Sequence, residues 1–186
     1  MKDNKQSRGD SFRVGDKIVD LGKVFRIFKV EKRKTIEGKE ERAIYFRPYF
    51  KTTQSDDLIC SIPIKNINLT QIRKPMSKKR LEKLLKKVFE DESPEKPVNT
   101  NQIKEKLKSN KLEIAVRVLK KLWLDKQDES TNFSATKRDL LNLVMKRLEE
   151  EAALALDIPV SRAREEIKKR LEKLSPSTFL PAAAGR

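Results

Sequence analysis

The spacing of apolar residues changes once along this chain, at Lys74-Pro75, and that change decides most of what it can fold into. Before it, apolar residues alternate at a period of two in runs broken by turn pairs. After it they recur every three or four residues, the period of an amphipathic helix. The sequence therefore predicts an α+β chain of two modules: a small Tudor- or SH3-like β-barrel followed by an all-α domain of five helices. The expected boundaries are a disordered leader over 1–11, the β module over 12–74, the helical module over 76–174 and a flexible tail over 175–186.

In the β module, Gly15-Asp16 splits Phe12 and Val14 from Ile18 and Val19, and Gly22 opens the run from Val24 to Val30. Glu37-Gly38-Lys39 signals a turn before Ala43-Ile44-Tyr45-Phe46. Leu58, Cys60, Ile62 and Ile64 alternate with Ile59, Ser61 and Pro63, which predicts a buried face carrying the first four. Cys60 then acts as a small hydrophobe rather than a nucleophile. Pro63, with no N–H to donate, ends that strand or lies at its edge. Four or five short strands are expected, with Tyr45 and Tyr49 packing in the barrel.

In the helical module, Ser77 is placed to cap a first helix with Leu81, Leu84, Leu85 and Val88 inward. Asn99 caps a short second helix, with Gln102 in a capping-box position and Ile103 and Leu107 inward. A third runs from about 112 to 126, with Leu112, Ala115, Val116, Leu119, Leu122 and Trp123 on one side. That spacing assigns Trp123 to the core rather than to an exposed wedge. Ser134 caps a fourth helix reaching Leu156, with Phe133 as a hydrophobic staple. A fifth runs from about 161 to 174 with Ala163, Ile167, Leu171 and Leu174 inward.

Charge adds a partner class. The 186 residues hold 44 Lys and Arg against 28 Asp and Glu, a formal charge of +16. The excess is uneven: net +8 over 1–75, net +7 over 76–126 and only net +1 over 127–186. The first helix holds Lys78, Lys79, Arg80, Lys83, Lys86 and Lys87, and the next two add Lys104, Lys106, Lys108, Lys111, Arg117, Lys120 and Lys121. Such a cluster suits phosphate contact with counterion release, or simply a solvated face.

Several chemistries have no residues to carry them. There is no His and one Cys, Cys60, so neither a zinc site nor a disulfide framework is expected. Five glycines, at 9, 15, 22, 38 and 185, build no phosphate-cradling loop. The acidic clusters Asp56-Asp57 and Glu149-Glu150-Glu151 read as solvated charges. No enzyme, metal or cofactor is expected. No apolar run approaches the ~20 residues of a membrane span, so an intracellular protein without membrane association is expected.

The layout resembles the CarD/CdnL family of bacterial transcription regulators over about residues 12–174. The markers are the stretch Phe12-Arg13-Val14-Gly15-Asp16-Lys17-Ile18-Val19, then Thr35-Ile36-Glu37-Gly38, and Ile62-Pro63-Ile64-Lys65-Asn66 before Ile72-Arg73. Further on stand Leu107-Lys108-Ser109, the stretch Val118-Leu119-Lys120-Lys121-Leu122-Trp123, Ser134 to Leu141, and Leu148-Glu149-Glu150-Glu151 with Ala152 to Leu156. The resemblance implies a Tudor-like module that docks on the β subunit of RNA polymerase, through Lys34, Ile36, Ser61 and Pro63. It implies a helical module that contacts double-stranded promoter DNA, largely without sequence specificity, near Asn99, Thr100, Asn101, Lys104 and Arg138. The lysine-rich first helix adds Lys78, Lys79, Arg80, Lys83, Lys86 and Lys87 to that surface.

Such a protein would hold a promoter open by binding both partners best after melting, as a cytoplasmic, nucleoid-associated monomer. Two features depart from the family. Its Gly-rich loop after the first strand is shortened here to Asp20-Leu21-Gly22, and the exposed Trp at the start of its second helix is replaced by Asn99-Thr100. The alternatives are a stand-alone nucleoid or architectural DNA-binder, and an RNA-associated factor.

Overall fold

The computed structural model describes residues 12–34, 38–50, 58–91, 99–128 and 132–174. The expected leader and tail lie outside the described residues. The chain divides into two compact units, Met1–Pro75 and Met76–Arg186.

In the first unit four antiparallel strands make one sheet in the order β1-β2-β3-β4. They are β1 (Lys17–Asp20), β2 (Lys23–Lys34), β3 (Glu40–Pro48) and β4 (Cys60–Pro63). Leu21 and Gly22 join β1 to β2 with φ of +47° and +84°. A two-residue turn with both φ positive matches the twist of the strands it joins. Glycine accepts that conformation freely, whereas Leu21 bears its strain. Ile18, Phe25, Ile27, Ile44 and Phe46 line the core face. The Phe25 and Phe46 rings meet edge to face at 5.3 Å.

β2 is longer than the expected short strand, at 12 residues. Its register against β3 shifts between Ile27 and Lys29. Such a bulge sets two residues against one, so Phe28 and Lys29 both stand opposite Tyr45 on the outer face.

The sheet is open, where a closed barrel was expected. β4 forms one edge. β1 at the other edge meets a single bridge, in which Val19 and Arg73 exchange N–H to carbonyl hydrogen bonds of 2.8 and 3.1 Å. The cause is local. After Pro63 the chain enters a 3-10 helix, Ile64–Leu69. Its three-residue repeat drops Ile64 and Ile67 together into the core, so the backbone leaves the sheet. The buried face expected of Leu58, Cys60, Ile62 and Ile64 is corrected accordingly: Leu58 is exposed before β4 begins, Cys60 and Ile62 are half-buried, and Ile64 belongs to the 3-10 turn.

The second unit holds, among the described residues, α1 (Lys78–Phe89), α2 (Thr100–Leu107), α3 (Leu112–Gln127), α4 (Ala135–Leu156) and α5 (Val160–Glu172). Caps set several ends. The Asn99 side chain accepts from the Gln102 amide at 3.1 Å, and the Ser134 hydroxyl accepts from the Lys137 amide at 3.4 Å. Asp157, at φ +56°, ends α4 in the left-handed conformation. α3 is the central helix, packing on α1, α2 and α4. It therefore buries Val118 and Leu124 as well as the expected stripe of Leu112, Val116, Leu119 and Leu122. Trp123 lies half-buried at the rim of that core, with the Lys126 ammonium 5.6 Å from its ring centre. None of the helices is long and apolar enough, among the described residues, to cross a membrane.

Candidate functional site

α1 forms because Leu81, Leu84, Leu85 and Val88 give it one continuous apolar stripe, and all four are buried. The opposite side is left to charge, and Lys78, Lys79, Arg80, Lys83, Lys86 and Lys87 are all exposed. Their positions divide them into two groups. Lys78 and Lys86 alternate with Glu82 and Glu90 at four-residue spacing, which neutralises that flank. It faces α5 across two depressions of about 290 and 710 Å³, where Arg162, Lys169 and Arg170 are likewise interspersed with Glu166. The rest of the solvated side carries Lys79, Arg80, Lys83 and Lys87, and Glu113 of α3 lines a shallow depression with the last three.

The first turn of α1 contains Lys78, Lys79 and Arg80 and no acidic residue. Cations at that end oppose the helix dipole and cost a few tenths of a kcal/mol each. Ser77, at the N-cap, makes no side-chain cap bond. The help comes from α4: the fully buried Glu151 accepts from the Met76 amide at 2.7 Å. The start of α1 is thus held by a buried carboxylate while its own side chains stay exposed and cationic.

The other expected DNA contacts lie at the starts of two further helices. Asn99, Asn101, Lys104 and Arg138 are exposed and Thr100 is half-buried. No hydrogen bond or ion pair links the α2 group to Arg138 among the described residues. The Asn99 side-chain oxygen accepts from the Gln102 amide, so Asn99 acts as the cap of α2. Lys120 is corrected outright. It is buried, and its ammonium donates to the Asp91 carbonyl. Lys108 and Arg117 are drawn to Glu105 and Glu113, at 2.6 and 3.4 Å.

The acidic run in α4 also departs from expectation. Glu149 and Glu151 are buried, not solvated, while Asp56-Asp57 lies outside the described residues. Glu149 meets Arg164 at 3.1 Å and Asp125 meets Lys137 at 2.8 Å. The Arg147 guanidinium donates to the Leu107 carbonyl at 2.9 Å and closes the C-terminus of α2. Because Glu149 and Glu151 are spent inside, the near-neutral total for residues 127–186 understates the exposed cations Arg162, Lys168, Lys169 and Arg170 of α5, which stand among Glu165, Glu166 and Glu172. Sequence reasoning missed that surface. Its one signal was that Glu149 lies one residue from Leu148, on the apolar stripe of α4.

Burial pushes the Glu149 carboxyl above its usual range, against the opposing pull of Arg164, Lys146 and Lys168. A carboxyl raised in the folded state favours folding at low pH, and the benefit is lost as pH rises through the folded value. Glu149→Gln keeps the neutral shape at every pH. The variant should therefore gain stability relative to the parent between pH 4 and pH 7, in paired melting curves. A difference that stays constant across that window would remove the buried-charge account.

In the β unit, Lys34 is exposed at the end of β2 and Ile36 lies outside the described residues. Exposed Ser61 and half-buried Pro63 stand on the edge strand β4, opposite Tyr45 and Ala43. Strand alternation puts those two on the outer face and Lys34 on the other, so the expected docking residues are not all gathered on one face. Cys60 is half-buried, and burial with help from Asp20 pushes its thiol up, away from nucleophilic use. Among the described residues no cluster of His, Cys, Asp or Glu could hold a metal ion. The chain matches no protein-family model and no curated protein.

Proposed function

We propose that this chain is a binding protein without catalytic chemistry, of the CarD/CdnL type, that bridges RNA polymerase and duplex DNA and stabilises the open promoter complex. The observation that carries the DNA half is the exposed cationic side of α1, where Lys79, Arg80, Lys83 and Lys87 outnumber the neighbouring acid, Glu113 of α3, and where Lys79 and Arg80 occupy a first turn whose dipole they oppose. Backbone amides at a helix N-terminus and a row of cations together suit phosphate oxygens, which carry no sequence information. The flank carrying Lys78 and Lys86 is the weaker part of that surface.

The polymerase half rests on the edge strand. Among the described residues β4 has a partner on one side only, and a partner strand could pair with the other side. In this reading the open sheet is a Tudor-like module, with Arg73 marking where a closing strand would run beside β1. The polymerase contact involves Ser61, Pro63, Lys34 and Ile36 against the β subunit, in the bacterial cytoplasm.

Promoter-opening kinetics with purified polymerase test the whole. The parent chain should lengthen the lifetime of the melted state. Pro63→Arg should lose both that effect and the capture of a β-subunit fragment while keeping duplex affinity. Equal capture by the variant would remove β4 as the docking edge. Capture of DNA from a lysate without polymerase subunits would favour the stand-alone nucleoid protein.

A further inference from the structure

The outer face of β1, β2 and β3 carries a second cationic surface, built differently from that of α1. Lys17 stands directly opposite Arg26, and Arg26 directly opposite Arg47, so three cations form one row across three strands. Like charges directly opposite one another weaken a sheet. No ion pair relieves this row among the described residues. Arg26 and Arg47 are exposed and Lys17 is half-exposed.

Beside the row lie aromatic rings. The bulge in β2 turns Phe28 outward next to Lys29, and the Phe28 and Tyr45 ring centres are 6.5 Å apart. Each ring of the patch has a cation over it: Arg47 on Phe28 at 5.5 Å, Lys29 on Tyr45 at 5.4 Å and Lys17 on Tyr49 at 5.7 Å. Tyr49 is itself 39% exposed. Towards the far end of the ribbon the charge is balanced, where Arg33 and Lys65 meet Glu41 at 2.9 and 2.8 Å. Beside Tyr45, Lys29 is paired with Glu31, so the unrelieved charge is that of Lys17, Arg26 and Arg47, next to Phe28 and Tyr49.

We propose that this face binds single-stranded DNA, with unpaired bases stacking on Phe28, Tyr45 and Tyr49 and phosphates lying along Lys17, Arg26 and Arg47. Rings interleaved with cations accept any base by its flat face, and duplex bases are not free to reach them. The ring and charge geometry stands independently of the polymerase reading. The choice of DNA over RNA rests on that reading, because promoter melting is what supplies unpaired DNA.

The test is fluorescence anisotropy of the full chain with labelled dT20, rU20 and a 20-base-pair duplex, at one fixed salt concentration. Arg26→Gln with Arg47→Gln, and separately Tyr49→Ser, should each weaken dT20 binding about tenfold and leave duplex affinity within about twofold. Lys79→Gln with Lys83→Gln should do the reverse. Melting curves identify any variant that has lost its fold, Tyr49→Ser included, since that ring also meets Phe50 edge to face at 4.9 Å. Parent-like dT20 affinity in both sheet variants overturns the proposal, as does a parent that prefers rU20 over dT20 tenfold. If the α1 variant leaves duplex binding unchanged while the sheet variants lose dT20, the duplex reading fails and this one stands.

Discussion

Charge reversal at Lys79, Lys83 and Lys87 together will reduce duplex binding by about a hundredfold or more at 0.1 M salt, with the fold intact. These three residues are exposed on the side of α1 where cations outnumber acids, with Glu113 of α3 beside Lys83 and Lys87. If each contacts one phosphate together with Arg80, the parent's log affinity should fall with log salt at a slope of about −3 to −4. The triple variant's slope should be shallower by about 2 to 3. The paired control is Lys78→Glu with Lys86→Glu, on the flank already interleaved with Glu82 and Glu90, and its loss should be several times smaller. Equal losses from the two flanks, or a parent whose binding ignores salt, would mean that α1 does not meet phosphates.

Glu151→Ala should lower the stability of the helical unit by about 3 kcal/mol, a fall of roughly 10 °C in Tm. The carboxylate is fully buried in α4 and receives the Met76 amide at 2.7 Å. Its removal leaves a cavity and strands a donor at the entrance to α1. α1 has no cap of its own and three cations in its first turn, so that end should fray first. Glu151→Gln keeps an acceptor of the same length and should cost about 1 kcal/mol, mostly from the weaker hydrogen bond to a neutral group. Because the frayed turn carries Lys79 and Arg80, duplex affinity should fall with stability in the alanine variant and recover in part in the glutamine variant. Urea melts of the three proteins decide it: an alanine variant within 1 kcal/mol of the parent would show that Glu151 does not secure the helix.

The helices were legible because their signals are local. The caps at Asn99 and Ser134 and the stripe of Leu81, Leu84, Leu85 and Val88 act within a turn or two, where spacing in sequence equals spacing in space. The β unit was less legible. A bulge at Phe28 breaks the period of two, and the 3-10 turn after Pro63 depends on what Ile64 and Ile67 can bury against. Leu58 carries the pattern of a buried strand position and yet stands exposed, because hydrophobic alternation does not say where pairing with β3 begins.

Of the candidate surfaces, the chain alone marked the lysines of α1 and an edge position for Pro63. Net charge by segment, however, misjudged the back of the helical unit. Counting treats every acid as a solvent charge, but Glu149, Glu151 and Asp125 are buried against Arg164, the Met76 amide and Lys137. Likewise Lys120 counts as a surface cation until its ammonium is found inside, on the Asp91 carbonyl. Sequence by itself determined the α+β order, the five helices, the caps at Asn99 and Ser134 and the basic character of α1, since each follows from contacts a few residues apart, whereas the cap expected of Ser77 is not made. Only the tertiary structure decided which charges face water and which rings share the outer sheet face. Both depend on partners tens of residues away, because a buried charge must find its partner inside the fold and not in water.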